Sequence, residues 1–171
     1  GSVRLEKKKQ EQALNELERE SRQLEAIIRQ YQSGNTGSQA GTGTFTWPTP
    51  GYTRITDEYG MRFHPILGER RLHTGMDIGA PMGATIVAAD SGTVIFAGWM
   101  SGYGQVIIVD HKNDLSTLYA HQSSFLVSKG TNVSTGQAIG KVGSTGWSTG
   151  PHLHFEVRVK GTPTNPIGYV K

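Results

Sequence analysis

From about residue 45 to its end, the chain consists of short runs of β-branched and aromatic residues separated by turn-forming residues. The clearest runs are ATIVAA, GTVIFAGW, GQVIIVDH, LSTLYAH, QAIGKVG and HLHFEVRV. Gly, Asn, Asp and Ser lie between them, and helical periodicity is absent. Most of the 23 glycines lie in this part, as many tight turns require. We therefore predict a mainly β domain of packed antiparallel sheets over residues 45–171.

The N-terminal part of the chain has a different composition, which predicts a helix. Residues 3–32 are rich in Glu, Lys, Arg, Gln and Leu and contain neither Gly nor Pro. Apolar residues recur there at heptad spacing, with Ser21 as the polar interruption, and charged residues fill the other faces. The members of this stripe are Leu14, Leu17, Leu24, Ile28 and Tyr31. The spacing favours a coiled coil, and the alternative is a single amphipathic helix that lies on the β domain.

Two shorter segments complete the organisation of the chain. Residues 33–44, SGNTGSQAGTGT, predict a flexible linker because they contain almost nothing that could join a core. The chain begins with Gly1 and Ser2, a pair typical of a cloning remnant, so we expect any natural targeting segment to be missing. No apolar run approaches the length of a membrane span.

The composition excludes several classes of function. The chain contains no cysteine, which removes disulfides, thiolate nucleophiles and cysteine zinc sites. Any metal site must therefore use His, Asp or Glu. The net charge of +3 is a mild basic excess, without a cluster of Lys and Arg interleaved with aromatic residues. We therefore expect no nucleic-acid partner.

Two of the six histidines lie one residue apart in HLHFEVR. In an extended strand, His152, His154 and Glu156 would point to one face, and Leu153 and Phe155 would point to the core. Glu156 could then be an outer hydrogen-bond partner of the His154 imidazole. The alternative, which we favour at this point, is a solvated strand residue.

Two other stretches carry side chains that could join this pair. In LHTGMDIGAP, His73 and Asp77 would share one face of an extended segment, since Gly and Pro argue against a helix there. In LSTLYAH, His121 ends a strand on whose face Tyr119 would also lie, either lining a groove or packed elsewhere. A catalytic zinc takes three protein ligands and leaves one position for water. The remaining histidines could then be acid–base groups.

The same stretches resemble the catalytic domain of the lysostaphin/LytM-type zinc metallopeptidases, which cleave peptide cross-links in bacterial cell walls. The resemblance is carried by GERRLHTGMDIGAPMGATIVAADSGTV, GYGQVIIVDH, LSTLYAH and GSTGWSTGPHLHFEVR. It runs from about Tyr52 to Val170. The motifs H-x-x-x-D, Y-A-H and G-P-H-L-H-F-E occur in that order, without a substitution.

The resemblance implies a role for each motif residue. The metal ligands would be His73, Asp77 and His154, holding Zn²⁺, and the catalytic histidines would be His152 and His121. The fold would be the family's antiparallel β architecture, with the site in a groove. The function would be hydrolysis of cross-links or stem peptides of peptidoglycan by an extracytoplasmic enzyme, whether secreted, periplasmic or facing the cell wall.

Two alternative functions remain at this point. The chain could be a non-catalytic activator or scaffold for cell-wall hydrolases that acts through its helix, with a coiled-coil partner or by self-association. The complete ligand set argues against this alternative. A structural zinc in a sugar-binding β domain is a weaker alternative, because structural zinc sites usually fill all four positions with protein ligands.

Overall fold

The computed structural model describes residues 2–34 and 40–170 of the chain, which form one long helix, twelve strands and a short 3₁₀ helix. The helix is α1 (Ser2–Ser33). The strands are β1 (Ile55–Asp57), β2 (Gly60–His64), β3 (Glu69–His73), β4 (Met76–Gly79), β5 (Thr85–Val87), β6 (Gly92–Met100), β7 (Gly104–Asp110), β8 (Leu115–Phe125), β9 (Asn132–Val133), β10 (Ala138–Val142), β11 (His152–Val159) and β12 (Thr162–Thr164), and the 3₁₀ helix is Pro166–Gly168.

Ten of these strands form one antiparallel sheet. Its main order is β1-β4-β11-β8-β7-β6-β9; β10 pairs with β8 and β5, and β12 pairs with β11. Strands β2 and β3 form a separate two-stranded hairpin. The six apolar runs of the sequence correspond to β5, β6, β7, β8, β10 and β11. The prediction of a mainly antiparallel β fold with an N-terminal helix is therefore confirmed.

The principal core lies on one face of the large sheet. In β11, Leu153, Phe155 and Val157 are fully buried in this core, together with Met76 and Ile78 of β4. Their alternation with the histidines of β11 follows from the two-residue period of a strand. The predicted apolar face of HLHFEVR is thus the core face.

Helix α1 covers the opposite face of the sheet. Leu24 and Ile28 are fully buried there against Val106, Ile108 and Leu118, among other side chains. Because both faces of the central strands are covered, β7 contains the continuous apolar run VIIV rather than an alternating pattern. The helix therefore completes a second apolar layer on the β domain.

Polar contacts also fix α1 on the domain. The carboxylate of Glu20 accepts hydrogen bonds from the backbone N–H groups of Gly102 and Tyr103. The buried guanidinium of Arg158 donates to the backbone carbonyl and the hydroxyl of Ser21. The predicted helix over residues 3–32 is confirmed, and its apolar stripe contacts the chain's own domain, as in the amphipathic alternative. A coiled coil through the same stripe stays a prediction, and it would require the helix to leave this surface.

The predicted linker over residues 33–44 is only partly described, because residues 35–39 lie outside the described part of the chain. Its second half is attached to the β domain. The amide of Gly41 donates to the carbonyl of His111, and the amides of Thr42 and Gly43 donate to the Asp90 carboxylate. A Cβ at Gly41 would lie 2.3 Å from Asp90 Oδ2, so this close approach requires glycine. Residues 41–43 therefore contact the β domain, and the flexibility of the segment 33–44 stays a prediction.

We predict that Leu24→Ala weakens the docking of α1. The side chain is fully buried, and truncation of a buried leucine costs about 2–5 kcal/mol. Amide hydrogen exchange in the second half of α1 should therefore accelerate about 30-fold or more. The control is Gln23→Ala, at the exposed position next to Leu24 on the same helix, which should leave the exchange rates nearly unchanged. Equal protection in the two variants would contradict this account of the helix.

Candidate metal centre and active-site groove

Two paired strands bring the central carboxylate and imidazole of the site together. Strand β4 pairs with β11 so that Asp77 lies directly opposite His154. Their Oδ1 and Nδ1 atoms are 2.8 Å apart. Neighbouring side chains on one face of an antiparallel pair approach within about 5 Å at Cβ, which allows this contact.

His73 reaches the same point from the β2–β3 hairpin. It ends β3, and Thr74 and Gly75 separate it from β4, so His73 and Asp77 do not share one extended strand as the sequence had suggested. The connection passes so close to β11 that a Cβ at Gly75 would lie 2.3 Å from the carbonyl oxygen of Phe155. His73 Nε2 nevertheless lies 3.4 Å from Asp77 Oδ1. The spacing predicted the convergence correctly, but the geometry behind it is different.

The three residues form a group that could hold a metal ion. His73, Asp77 and His154 each offer one ligand atom, and these atoms lie within 4.8 Å of one another. Two imidazoles and a carboxylate are a donor set that suits zinc when no thiolate is present. The residues that the resemblance named as metal ligands are thus brought together.

His152 and His121 lie beside this group. Nε2 of His152 is 3.7 Å from Asp77 Oδ1, and the rings of His121 and His152 are 4.9 Å apart. His121 has a positive φ of 61° at a shift in the register between β7 and β8. An extra residue in one strand re-aims the side chain that follows it. This irregularity takes His121 off the face of Tyr119 and turns its imidazole toward the site.

Each of the four site histidines has one ring nitrogen next to an acceptor outside the cluster. Nδ1 of His73, His121 and His152 lies 2.9, 2.6 and 2.9 Å from the backbone carbonyls of Glu58, Thr145 and Gly150. Nε2 of His154 lies 2.8 Å from Glu156 Oε2. A neutral imidazole carries one N–H and one lone pair, so these acceptors hold the N–H on the outer nitrogen. The lone pairs of His73, His121 and His152 then face the centre of the cluster, and Nδ1 of His154 offers one there once its proton is lost.

Glu156 lies behind the ligand imidazole of His154, on the side away from Asp77, and is completely buried. Its carboxylate accepts hydrogen bonds from the hydroxyls of Thr74 (2.6 Å) and Tyr103 (2.9 Å), from Nε2 of His154 and from Nε of Arg158 (2.6 Å). The expectation of a solvated Glu156 is wrong. The alternative role, an outer partner of a ligand imidazole, describes its position.

Burial and charge set the protonation of the cluster. Burial alone would raise the pKa of Asp77, but the hydrogen bond from His154 and the nearby imidazole of His73 hold it well below its usual range. Burial alone would lower the pKa of His154, but hydrogen bonds with Asp77 and Glu156 raise it to about 10. Burial, with the nearby charge of His154, lowers the pKa of His121 to about 4. His121 is therefore neutral at neutral pH.

An open groove of about 250 Å³ leads to the cluster. The β2–β3 hairpin forms one wall with Arg62, His64 and Arg71, and the segment 147–149, which includes the half-exposed Trp147, lies at another side. Helix α1 contributes a further wall. Its groove-lining side chains are Leu14, Leu17 and Glu18.

Sequence reasoning missed three residues around the site and left the position of a fourth open. Thr74, Tyr103 and Arg158 belong to no metal-binding pattern, and only their side-chain contacts with Glu156 reveal them. Tyr119, which was considered for the groove, lies in the principal core instead. Its hydroxyl there accepts a hydrogen bond from the amide of Ala89.

Comparison with known proteins agrees with this geometry. Residues 71–166 match the family model described as Peptidase family M23. DD-carboxypeptidase/endopeptidase Mpg of Neisseria meningitidis serogroup B is 51% identical over 116 residues, which are 68% of this chain and 27% of that protein. Murein hydrolase activator NlpD of Salmonella dublin is 35% identical over 139 residues, which are 81% of this chain and 34% of that protein. The chain thus spans about a quarter to a third of the length of these relatives.

Solved structures show the same similarity. A zinc-containing peptidase from Vibrio cholerae has a TM-score of 0.67 and 35% identity, over 74% of this chain and 39% of that one. The catalytic domain of the antimicrobial peptidase lysostaphin from Staphylococcus simulans has a TM-score of 0.62 and 33% identity, over 69% of this chain and 91% of that one. The family model matches more than half of the residues of this chain. The chain therefore belongs to peptidase family M23, the LytM/lysostaphin family.

Proposed function

We propose that this chain is a zinc-dependent endopeptidase that hydrolyses cross-links or stem peptides of bacterial peptidoglycan. The observation that carries the proposal is the convergence of three metal-ligand atoms and two further imidazoles at one end of an open groove. Structural zinc sites are usually closed by four protein ligands, whereas this set offers three. The name of one relative, Peptidoglycan DD-endopeptidase ShyA of Vibrio cholerae, supports peptidoglycan as the substrate.

The donor atoms fit a zinc ion held by His73 Nε2, Asp77 Oδ1 and His154 Nδ1. The outer hydrogen bonds of His73 to Glu58 and of His154 to Glu156 leave these nitrogens free to coordinate. Coordination requires a neutral imidazole, so the ion would replace the proton that His154 otherwise holds between two carboxylates. Bound zinc would polarise the scissile carbonyl and lower the pKa of a water molecule.

The two remaining histidines provide the proton transfers. His152 donates its Nδ1–H to the carbonyl of Gly150, so its Nε2 carries the lone pair that can take a proton from the attacking water. His121 is held in the same way by Thr145 and is neutral at neutral pH. The ring centroids of His121 and His152 are 4.9 Å apart, close enough for His121 to share in the proton transfer. Once Nε2 of His121 has taken up a proton, its N–H could stabilise the developing oxyanion.

The second candidate function is activation of another hydrolase, as the name of NlpD describes for that relative. The observation in its favour is α1, which could engage a partner by a coiled coil or by self-association. Against it stand the complete donor set and the two oriented histidines, which an activator does not need.

We also propose an extracytoplasmic location, where peptidoglycan lies. Among the described residues, no helix combines the length and the apolar character that crossing a membrane requires.

We predict that metal binding and catalysis can be separated by mutation. His154→Ala should lose zinc and activity together, because it removes a ligand atom. His152→Ala should keep about one zinc ion per chain but lose about 100- to 10,000-fold in activity, since it removes a general base. His64→Ala, in the groove wall outside the cluster, should retain both properties. Zinc content by atomic absorption and peptide release from isolated peptidoglycan by mass spectrometry are the two measurements.

Two results would contradict these assignments. Normal hydrolysis by His152→Ala would show that its role is wrong. The second result is that the zinc-loaded chain releases no peptides from peptidoglycans with different cross-bridges and shows no chelator-sensitive activity. This result would favour the activator function instead.

We predict that Glu156 sets the zinc affinity. Glu156→Gln places an amide where the carboxylate accepts from His154 and Arg158, so the ligand ring loses its oriented partner. Loss of such outer partners reduces metal affinity about 10- to 100-fold. Tyr103→Phe, which removes one hydroxyl donor to the same carboxylate, should reduce the affinity by less.

Competition with a chelator would give the zinc Kd, and circular dichroism of the metal-free chains would show that both variants are folded. An unchanged Kd in a folded Glu156→Gln chain would rule out this role for Glu156.

A further inference from the structure

We propose that the groove contains a carboxylate-binding subsite at Arg71, which takes a free carboxylate of the peptide substrate close to the bond that is cut. This inference rests on the proposed endopeptidase function and names a chemical class for its substrate. Free carboxylates occur at peptide C-termini and on acidic side chains. The subsite therefore selects a peptide that carries one of these groups near the scissile bond.

Arg71 is placed to contact such a group because it lies beside a metal ligand. It precedes His73 by two residues in β3, so the two side chains share one face of the strand, with Cα atoms about 7 Å apart. Its side chain is only 14% exposed and lines the same groove as the cluster. A carboxylate bound to Arg71 would therefore lie within one or two peptide residues of the metal centre.

The guanidinium of Arg71 is oriented before any ligand arrives. Glu69, two residues earlier on the same strand, accepts hydrogen bonds from Nε (3.0 Å) and Nη2 (2.7 Å) through Oε1. This pairing leaves Nη1 directed across the groove toward α1. A planar guanidinium that is held in place is well suited to a carboxylate, because its N–H groups match the spacing of the carboxylate oxygens.

A carboxylate from a distant part of the chain already occupies this position. Glu18 of α1 places Oε1 2.9 Å from Arg71 Nη1, and Oδ1 of Asn15 lies 3.1 Å from the same nitrogen. Glu18 is itself a groove-lining residue with a side chain that is 44% exposed. The position thus accommodates a carboxylate sterically and electrostatically, and solvent can reach it.

The second arginine of the groove wall is not equivalent. Arg62 lies directly opposite Arg71 in the hairpin, and its Nη1 contacts both carboxylate oxygens of Asp57 at 2.6 Å. Its partner comes from the neighbouring segment of the β domain, next to the hairpin itself. Of these two arginines, it is Arg71 that holds a carboxylate supplied by α1, which makes Arg71 the subsite residue.

The competing explanation is that Arg71 only anchors α1 to the hairpin. The two explanations predict different signs for paired mutations. If the ion pair is only an anchor, Arg71→Gln and Glu18→Gln break the same contact and change activity in the same direction. If Arg71 is a subsite, Arg71→Gln removes the group that binds the substrate carboxylate and weakens binding. Glu18→Gln removes the carboxylate that competes with the substrate and strengthens binding.

The experiment compares two synthetic cross-linked stem-peptide dimers, one with free carboxylates and one with carboxamides in their place, on the zinc-loaded chain. For the carboxylate dimer, Arg71→Gln should raise KM about 10-fold or more with little change in kcat, since it removes a charge-assisted hydrogen bond. Arg71→Lys should restore part of the loss. Glu18→Gln should lower KM up to about fivefold, because the pair it breaks is partly exposed.

The matched control is Arg70→Gln, which removes the same charge from the neighbouring, exposed position on the other face of β3. It should change KM for neither dimer. With the carboxamide dimer, Arg71→Gln should also have no effect. Equal effects of Arg71→Gln on the two dimers, or changes of the same sign in Arg71→Gln and Glu18→Gln, would overturn the subsite.

A binding measurement separates failure of the subsite from failure of the proposed function. Isothermal titration of the metal-free Glu18→Gln chain with the two dimers needs no cleavage. Tighter binding of the carboxylate dimer, abolished by adding Arg71→Gln, supports the subsite even if no zinc-loaded chain hydrolyses either dimer. Equal affinity for the two dimers, or no binding of either one, would overturn it even if hydrolysis is observed.

Discussion

A single buried carboxylate, Glu156, is the group on which the site and its surroundings depend. A buried charge is tolerated only when it is paired and hydrogen-bonded, and four donors surround this one. Two of the donors, His154 and Arg158, lie on β11 with Glu156 itself, whereas Thr74 belongs to the connection after the hairpin and Tyr103 to the segment before β7. The requirement to pair one charge therefore fixes the relative positions of the elements that make the groove.

The same requirement extends to α1 through the partner of that carboxylate. Arg158 is fully buried, and its remaining N–H groups donate to the carbonyl of Gly161 and to the carbonyl and hydroxyl of Ser21. Ser21 is the polar position that interrupts the apolar stripe of the helix. Its place in the sequence is explained by this contact, since a leucine there would keep the backbone carbonyl but remove the hydroxyl that accepts from Nη2 of Arg158. The helix thus satisfies a buried charge as well as covering apolar strands.

Strand alternation predicted the β fold because it depends on local spacing, and the resemblance carried by the histidine motifs implied the residues that meet in the cluster. The long-range features could not be predicted in the same way. The orientation of His121 depends on an irregularity in the pairing of two strands. The burial of Glu156 depends on its ion pair with Arg158, which is part of no metal-binding motif. The periodicity of α1 showed that it has an apolar stripe, but a stripe that includes Leu24 and Ile28 fits a second helix or a sheet equally well. Only the apolar second face of the central strands decides between these partners.

The contacts that hold α1 differ in strength, which determines how a substrate could use the groove. Leu24 and Ile28 are fully buried, and each contributes about 1.5–3 kcal/mol through burial, so undocking of the whole helix is costly. The contact of Glu18 with Arg71 is a partly exposed ion pair, and such pairs contribute only about 1 kcal/mol or less. A carboxylate that enters the groove can therefore displace the Glu18 side chain while the helix backbone stays docked through Glu20 and the buried leucine. Exchange of one carboxylate for another keeps Arg71 paired throughout, so the groove can open to an acidic peptide without exposing the apolar layer beneath α1.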